Sequence, residues 1–352
     1  MSILDKEWIK FKNAIKTNTT VNFDINSIKK KEMPKCSDIY ISTQTKIVYL
    51  NTNIDLNNVY WKIPIINYYS PKIGVIKKSI KINTINEANL PKLEAKIDMY
   101  KRNGYKTVVT NLSKNKTKNT IQKKKFKDVR KIDIGMSKKD LTSYKTKKKG
   151  AFYNCFALIL RILYNDEYKE IHVKVFNTGK LEIPGIQYDE TLIKVLNQIK
   201  YLLKNITKNN DLDYNTSSIQ TVLMNSNFTC KYFIDRFKLF RLLKYKYKIQ
   251  TAYDPCSYPG IQSKFCYHPQ KNKQDGVYNP ELSINEWKKI SFMIFRTGSV
   301  LIVGNCNKQL LIIIYNFLKN ILSEEYKNIC TANNLNITKK KKKIRKKYIY
   351  LT

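Results

Sequence analysis

The sequence repeats one short phrase, and this repetition constrains the fold more than any other feature. The phrase VFNTGKLEIPG begins at Val175, and IFRTGSVLIVG begins at Ile294. A phenylalanine, a threonine and two glycines recur at the same spacing, 119 positions apart. In each copy a Thr-Gly turn separates two runs rich in apolar residues, which is typical of a β-hairpin. One chain is therefore expected to contain two copies of the same hairpin.

The repeated unit extends beyond the hairpin. Each phrase is followed by a run with apolar residues at helical spacing, at 189–204 and at 308–322. Strand-like runs precede the hairpins at 156–163 and 227–234, and a short helix is predicted at 237–245. We therefore predict an α+β fold in which two pseudo-symmetric repeats share one antiparallel sheet. Because each long helix has an apolar stripe to bury, the helices are expected on one sheet face, and the other face stays open.

The net charge indicates the class of partner. The 352 residues include 66 Lys and Arg but only 27 Asp and Glu, which gives a formal charge of +39. So large an excess repels itself in a compact protein and favours a polyanionic partner, either nucleic acid or an acidic membrane surface. No run of apolar residues approaches the length of about 18 that a spanning helix needs, so no membrane insertion is predicted.

The motifs of common enzyme classes are absent from the sequence. It contains no phosphate-binding P-loop, no zinc-protease motif and no nucleophile elbow, and neither His172 nor His268 has a paired nucleophile nearby. The seven cysteines form no CxxC pair, and Cys256, Cys266 and His268 lack the paired spacing of a zinc site. We therefore predict a non-enzymatic protein without metal or cofactor, with the reduced thiols of an intracellular compartment.

Shifts in composition predict the domain boundaries. The segment from about 70 to 149 contains strand-like runs but becomes dense in lysine after residue 114, which indicates a basic insertion. The run KKKKKIRKK at 339–347 is expected to add affinity for polyanions without sequence preference. The predicted order is an N-terminal arm (1–36), a first repeat with the insertion (37–206), a second repeat (207–332) and a basic tail (333–352).

The hairpin phrases resemble those of a known family. Together with YDPCSYPG at 253–260, they are similar to the TATA-binding protein family. That family has I-F-x-S-G-K-x-x-x-T-G in each repeat and Y-E-P-E-L-F-P-G in the second. The runs CSDIYISTQTKIVYLN and KKGAFYNCFALILRI make the chain most similar to the divergent TATA-binding-protein-like factors of large, or giant, DNA viruses. The resemblance covers about residues 37–69 and 150–325.

The resemblance implies a fold and a function. The fold is a saddle whose concave sheet lies on a widened minor groove while the helices cover the convex face, and phenylalanines unstack base steps and bend the DNA. The implied function is a transcription initiation factor, monomeric on double-stranded DNA, that recruits a IIB-like factor and RNA polymerase. The expected location is the host nucleus or a cytoplasmic viral factory, or packaging within virions. The alternatives are an architectural or packaging DNA-binding protein with little sequence preference, and an adaptor whose saddle face binds protein.

The resemblance also assigns wedge positions. In the second copy, Phe295 matches the hairpin phenylalanine, and Tyr258 matches its partner. In the first copy, Phe176 matches the phenylalanine, but the partner position holds Cys155, which cannot wedge between bases. Three nearby aromatic residues are left as alternatives for that role: Phe152, Tyr153 and Phe156.

The remaining assignments concern phosphates, bases and a protein partner. Basic residues expected near the phosphates are Arg161, Lys180 and Lys264. The central positions, where the family reads the groove with Asn and Thr, hold Thr43, Leu223, Pro184 and Val303, with Leu301 on the same concave strand. Asp254 matches an acidic residue that contacts transcription factor IIB in the family, whereas Cys256 replaces the second acidic residue.

Strand alternation adds two charged residues to the concave face. It places Lys174 and Glu182 on the same face as Phe176. A diagonal salt bridge across the hairpin is predicted between these two charges. With a carboxylate on this face and few hydrogen-bonding side chains at its centre, the preference for AT-rich, flexible DNA is expected to be weaker than that of a TATA-binding protein.

Overall fold

The structure is a computed structural model that describes residues 32–112, 126–142, 152–282 and 284–331. The basic tail, most of the N-terminal arm and much of the lysine-rich part of the predicted insertion lie outside the described residues.

The described residues divide into two compact units. The larger unit comprises residues 41–225, and the smaller unit comprises 32–40 together with 226–331. In the described parts of the chain, no helix has the length and apolar character that crossing a membrane requires.

The larger unit is built on an antiparallel sheet with the strand order β3-β4-β2-β5-β6-β7-β1-β8. Its strands are β1 (Tyr40–Tyr49), β2 (Gly74–Thr84), β3 (Thr107–Asn111), β4 (Asp128–Gly135), β5 (Cys155–Tyr164), β6 (Glu167–Phe176), β7 (Lys180–Ile186) and the first part of β8 (Gln220–Thr229). Its helices are α1 (Leu56–Lys62), α2 (Leu90–Arg102), α3 (Lys138–Thr142) and α4 (Asp189–Thr207). Short 3₁₀ turns lie at Glu87–Asn89 and Thr216–Ser218.

Three helices of the larger unit share one core with the sheet. The apolar stripe predicted for α4 is buried, including Leu192, Leu196 and Leu203. It packs in one cluster with Val173 and Leu181 of the sheet and with residues of α1 and α2. Because strand side chains alternate between faces, the residues between these buried ones lie on the opposite face.

The segment predicted as an insertion contributes to this sheet. Strand β2 lies between β4 and β5, and its residue Ile80 pairs with Phe156 of β5. Strand β4 pairs with β2 over eight positions, from Lys77 opposite Gly135 to Thr84 opposite Asp128. The described residues of this segment therefore extend the sheet beyond β5 by three strands.

One lysine of β2 is completely buried and stabilises the end of α1. The Lys78 ammonium donates to the carbonyl oxygens of Tyr60 at 2.9 Å and Ile63 at 2.8 Å, and to the Tyr100 hydroxyl at 2.8 Å. The last carbonyls of a helix have no partner within the helix, so this ammonium replaces water there. Desolvation lowers the pKa of Lys78 to about 7.

The smaller unit repeats the element order around a second antiparallel sheet. The second part of β8 is followed by α5 (Arg236–Arg241) with a π-turn at Leu242–Lys246, β9 (Gln250–Ala252), β10 (Ile261–Tyr267), a 3₁₀ turn at Ile284–Glu286, β11 (Lys288–Ile294), β12 (Ser299–Gly304), α6 (Lys308–Glu324) and α7 (Tyr326–Ile329). The strand order is β8-β12-β11-β10-β9. Helix α6 buries its apolar stripe against the sheet, where Phe317 contacts Phe265 edge to face with ring centroids 5.1 Å apart. The predicted α+β class, with helices covering one face of an antiparallel sheet, is confirmed in each unit.

The same turn closes both hairpins. The Gly179 amide donates to the carbonyl of Phe176 at 3.1 Å, and the Gly298 amide donates to the carbonyl of Phe295 at 3.0 Å. Both glycines have positive φ, 76° and 79°, and an added Cβ on either would lie 2.3 Å from a backbone oxygen. The Thr-Gly phrase recurs because only glycine fits this backbone conformation and this close approach.

Candidate nucleic-acid interface

The larger unit has one sheet face that helices do not cover at its hairpin end. On β6, Lys174 and Phe176 are partly exposed, whereas the neighbouring Val173 and Val175 are buried beneath the helices. On β7 the partly exposed residues of the same face are Lys180, Glu182 and Pro184. We call this surface, on β5, β6, β7 and β1, the open face of the larger unit.

Aromatic rings and ammonium groups alternate at the hairpin end of this open face. The Lys180 ammonium lies 5.1 Å from the centroid of the Phe176 ring, and the Lys174 ammonium lies 5.7 Å from that of Phe152. The Phe152 side chain is 64% exposed. An exposed ring beside a cation can stack on a nucleobase while the cation approaches a phosphate.

The structure distinguishes between the three alternatives for the first-copy wedge partner. Phe156 is completely buried, because it pairs with Val175 and packs in the core against Tyr60. Phe156 therefore cannot reach a ligand on the open face. Phe152 and Tyr153 are both at least half exposed, and they precede Cys155, which lies opposite Phe176.

The predicted phosphate contact by Arg161 is corrected by its surroundings. Arg161 is only 6% exposed, and its guanidinium donates to the carbonyl oxygens of Tyr68 and Ser70, each at 2.6 Å. It therefore anchors the loop after α1 over this end of the sheet. Sequence alternation places Arg161 on the open-face side, but it does not reveal that a distant loop covers that position.

A salt bridge neutralises the charges at the centre of the open face. The Lys174 ammonium lies 2.6 Å from the Glu182 carboxylate, and each side chain is about one quarter exposed (24% and 25%). The predicted pair is therefore present. The two residues are directly opposite each other in register and not diagonal, which corrects the predicted geometry. On the same strand, burial and the nearby Lys174 lower the pKa of His172, which favours its neutral form.

The first part of β8 adds polar groups that sequence comparison missed. Thr43 and Leu223, which match central positions of the family, are both partly exposed. The Asn225 amide donates to the Thr43 hydroxyl at 3.0 Å and follows Leu223 by two positions, so it lies on the same face of β8. Pro184 pairs with Thr45, which is also partly exposed. Hydrogen-bonding groups therefore remain beside the apolar positions, and strand alternation from Leu223 would have located Asn225.

The smaller unit presents its own partly open sheet face. Lys264, Ser291 and Val303 lie opposite one another on three neighbouring strands, and Met293 lies opposite Leu301 in the next row. Lys264 is exposed, and the other four residues are partly exposed. We call this surface, on β10, β11 and β12, the open face of the smaller unit. It contains no carboxylate among these positions.

An aromatic pair lies at the end of that open face. The rings of Tyr258 and Phe295 have centroids 5.9 Å apart at an angle of 59°. Gly260 lies beneath them, since an added Cβ would be 3.0 Å from the Phe295 ring and 3.1 Å from the Tyr258 ring. The Arg236 guanidinium donates to the carbonyl oxygen of Pro259 in the same loop. The structure therefore brings together the two residues assigned as wedges in the second copy.

The predicted partner-binding residue lies on the same loop. Asp254 is exposed, and its carboxylate accepts hydrogen bonds from the Ser257 hydroxyl and from the Cys256 amide at 3.0 Å. The Ser257 hydrogen bond is the main reason that its pKa is lowered. Cys256 is exposed, and no group of metal-ligating residues is found among the described residues.

Comparison with known proteins relates the chain to one viral relative. No protein-family profile matches. The chain is 28% identical over 205 residues to a TATA-box-binding protein-like protein of Acanthamoeba polyphaga mimivirus, and the match covers 53% of this chain and 52% of the relative. The chain thus spans about half the length of that relative. A solved structure of Methanococcus jannaschii TBP aligns at 12% identity with a TM-score of 0.38, covering 82% of this chain and 99% of that chain. The resemblance to viral TATA-binding-protein-like proteins, predicted from the hairpin and stirrup phrases, is confirmed.

Proposed function

We propose that this chain is a TATA-binding-protein-like transcription initiation factor that places its open faces against the minor groove of duplex DNA. The observation that carries the proposal is the aromatic pair Tyr258 and Phe295 at the end of an open sheet face, with Phe176 at the equivalent hairpin of the larger unit. Rings in this position can wedge between base steps and bend the DNA. The formal charge of +39 supplies the electrostatic attraction.

The partners follow from the same proposal. The loop around Asp254 is the proposed contact for a IIB-like factor, which then brings RNA polymerase to the promoter. The chain acts as a non-catalytic DNA-binding subunit, monomeric on DNA, in the host nucleus or a cytoplasmic viral factory.

A second function is favoured by one observation. The Lys174–Glu182 pair neutralises part of the larger unit's open face, and apolar residues occupy Leu223, Leu301 and Val303. A face of this kind exerts little hydrogen-bond selection on bases, which would suit an architectural or packaging protein.

A bending experiment tests the proposed function. Energy transfer between the ends of a labelled duplex reports the bend on a promoter-like duplex and on random AT-rich duplexes. An initiation factor bends both and binds the promoter-like duplex more tightly, whereas an architectural protein shows equal affinity. If the chain binds no duplex in a salt-dependent manner, the open face serves another ligand, such as a protein.

A further inference from the structure

The larger unit contains a groove that the proposed function does not use. It consists of two adjoining pockets that share Asn57, Ile82 and Asn83, between α1, the end of β2 and the beginning of α2. Tyr153, just before β5, lines one end. We call this feature the β2 groove.

The lining of the β2 groove is basic and rich in amides. Fourteen described residues line it, and none of them is acidic. The lining includes four lysines and four asparagines: Lys81, Lys92, Lys96, Lys127, Asn57, Asn83, Asn86 and Asn89. Ammonium and amide groups are the usual donors to phosphate and sugar oxygens in nucleic-acid complexes.

The groove lysines differ from other lysines of the same unit. Lys77, Lys131 and Lys174 each form an ion pair with a carboxylate within 3.1 Å. By contrast, the Lys81 ammonium lies 3.7 Å from the centroid of the Tyr153 ring, and the Lys96 ammonium lies 5.5 Å from that of Trp61. An aromatic face positions a cation without cancelling its charge, so both ammonium groups keep their attraction for an anion.

The groove is continuous with the hairpin end of the open face. Ile80 of β2 pairs with Phe156, so Lys81 lies beside the start of β5, where Cys155 is opposite Phe176. Tyr153 of the groove is adjacent in sequence to Phe152, whose ring contacts Lys174. A DNA backbone leaving the open face at Phe176 would therefore pass directly into the groove.

We propose that the β2 groove binds the sugar–phosphate backbone of the duplex segment that flanks the bend at Phe176. This inference rests on the proposed function, because it takes the open face as the site of bending. Charge complementarity and continuity with the open face select duplex DNA as the occupant. The groove would then add affinity through the flanking DNA without reading its sequence.

A charge-removal experiment measures the contribution of the groove. The variant Lys81→Gln/Lys96→Gln removes two groove charges, and the matched control Lys194→Gln/Lys327→Gln removes two exposed helical lysines outside both open faces. The slope of log affinity against log salt should fall by about 0.9 for each lost phosphate contact. Two lost contacts change the affinity ratio between 50 and 200 mM salt by roughly 12-fold. The control should retain the slope of the unmodified chain.

A cross-linking experiment locates the DNA. With Cys256→Ser removing the exposed thiol, Asn83→Cys is labelled with a photoreactive group, and Tyr201→Cys on α4 serves as the control site. Cross-links to duplex DNA at position 83 but not at 201 support the proposal. It is overturned if the chain binds and bends DNA while position 83 gives no cross-link, or if both double variants shift the slope equally. Loss of all duplex binding by the unmodified chain would instead refute the proposed function.

Discussion

Replacing Glu182 with glutamine should tighten DNA binding. The Glu182 carboxylate lies on the open face of the larger unit and neutralises Lys174 at 2.6 Å. The substitution keeps the shape of the side chain while it removes the negative charge. It therefore removes a repulsion toward phosphates and frees the Lys174 ammonium to contact one.

The magnitude follows from the position of the pair. A carboxylate about 8 Å from a phosphate is repelled by roughly 0.5 kcal/mol in water and roughly 2 kcal/mol at an effective dielectric constant near 20. Affinity at low salt should therefore rise by about 2- to 30-fold. If Lys174 gains one phosphate contact, the log–log salt slope steepens by about 0.9. Loss of the cross-strand pair should lower the free energy of unfolding by no more than about 1 kcal/mol.

Fluorescence anisotropy with a labelled AT-rich duplex at several salt concentrations measures both quantities. Asp213→Asn provides a control with the same charge change, because Asp213 pairs with Lys200 of α4 at 2.5 Å, away from the open face. The control should bind within about twofold of the unmodified chain. Weaker binding by Glu182→Gln, or an equal gain in the control, would refute the assignment of Glu182 to the DNA-facing surface.

Three other results are expected. Phe295→Ala should reduce the DNA bend measured by energy transfer more than it reduces non-specific affinity, because unstacking a step involves a few kcal/mol while phosphates supply most binding; an unchanged bend would remove the wedge role, and Tyr201→Ala serves as the control. Selection from random duplexes should yield AT-rich, flexible sequences without one defined element, and recovery of a single element by the chain alone would contradict this. The free energy of unfolding should fall by up to about 1.4 kcal/mol per unit as pH drops from about 10.5 toward 7, because the unfolded chain then binds a proton that native Lys78 does not; Lys78→Met should lose that part of the slope in denaturant titrations, and an unchanged slope would contradict the role of burial.

Local patterns predicted the hairpins and the covered sheet face. The Thr-Gly phrases determine the turns because Gly179 and Gly298 need positive φ. Apolar spacing identified the long helices, and strand alternation predicted that Lys174 and Glu182 lie on one face close enough to pair. Each of these inferences depends on residues that are near in sequence or joined by one turn.

Contacts between distant segments could not be read from the sequence. Arg161 is buried because Tyr68 and Ser70 accept its hydrogen bonds, and nothing near Arg161 in the sequence indicates that loop. The pairing of β2 with β5 likewise joins segments about 80 residues apart, so the sequence suggested a separate insertion. Asn225 was missed because an ungapped comparison drew attention to Leu223 alone.

Chemical interference on the DNA tests the central claim that the open faces bind the minor groove. Methylation of adenine N3 places a methyl group in the minor groove, whereas methylation of guanine N7 places one in the major groove. Randomly methylated duplexes are bound by the full chain, and bound and free fractions are then sequenced. We expect depletion of N3-methyladenine from the bound fraction and an even distribution of N7-methylguanine. Depletion of N7-methylguanine alone would place the protein in the major groove and contradict the proposed mode of binding.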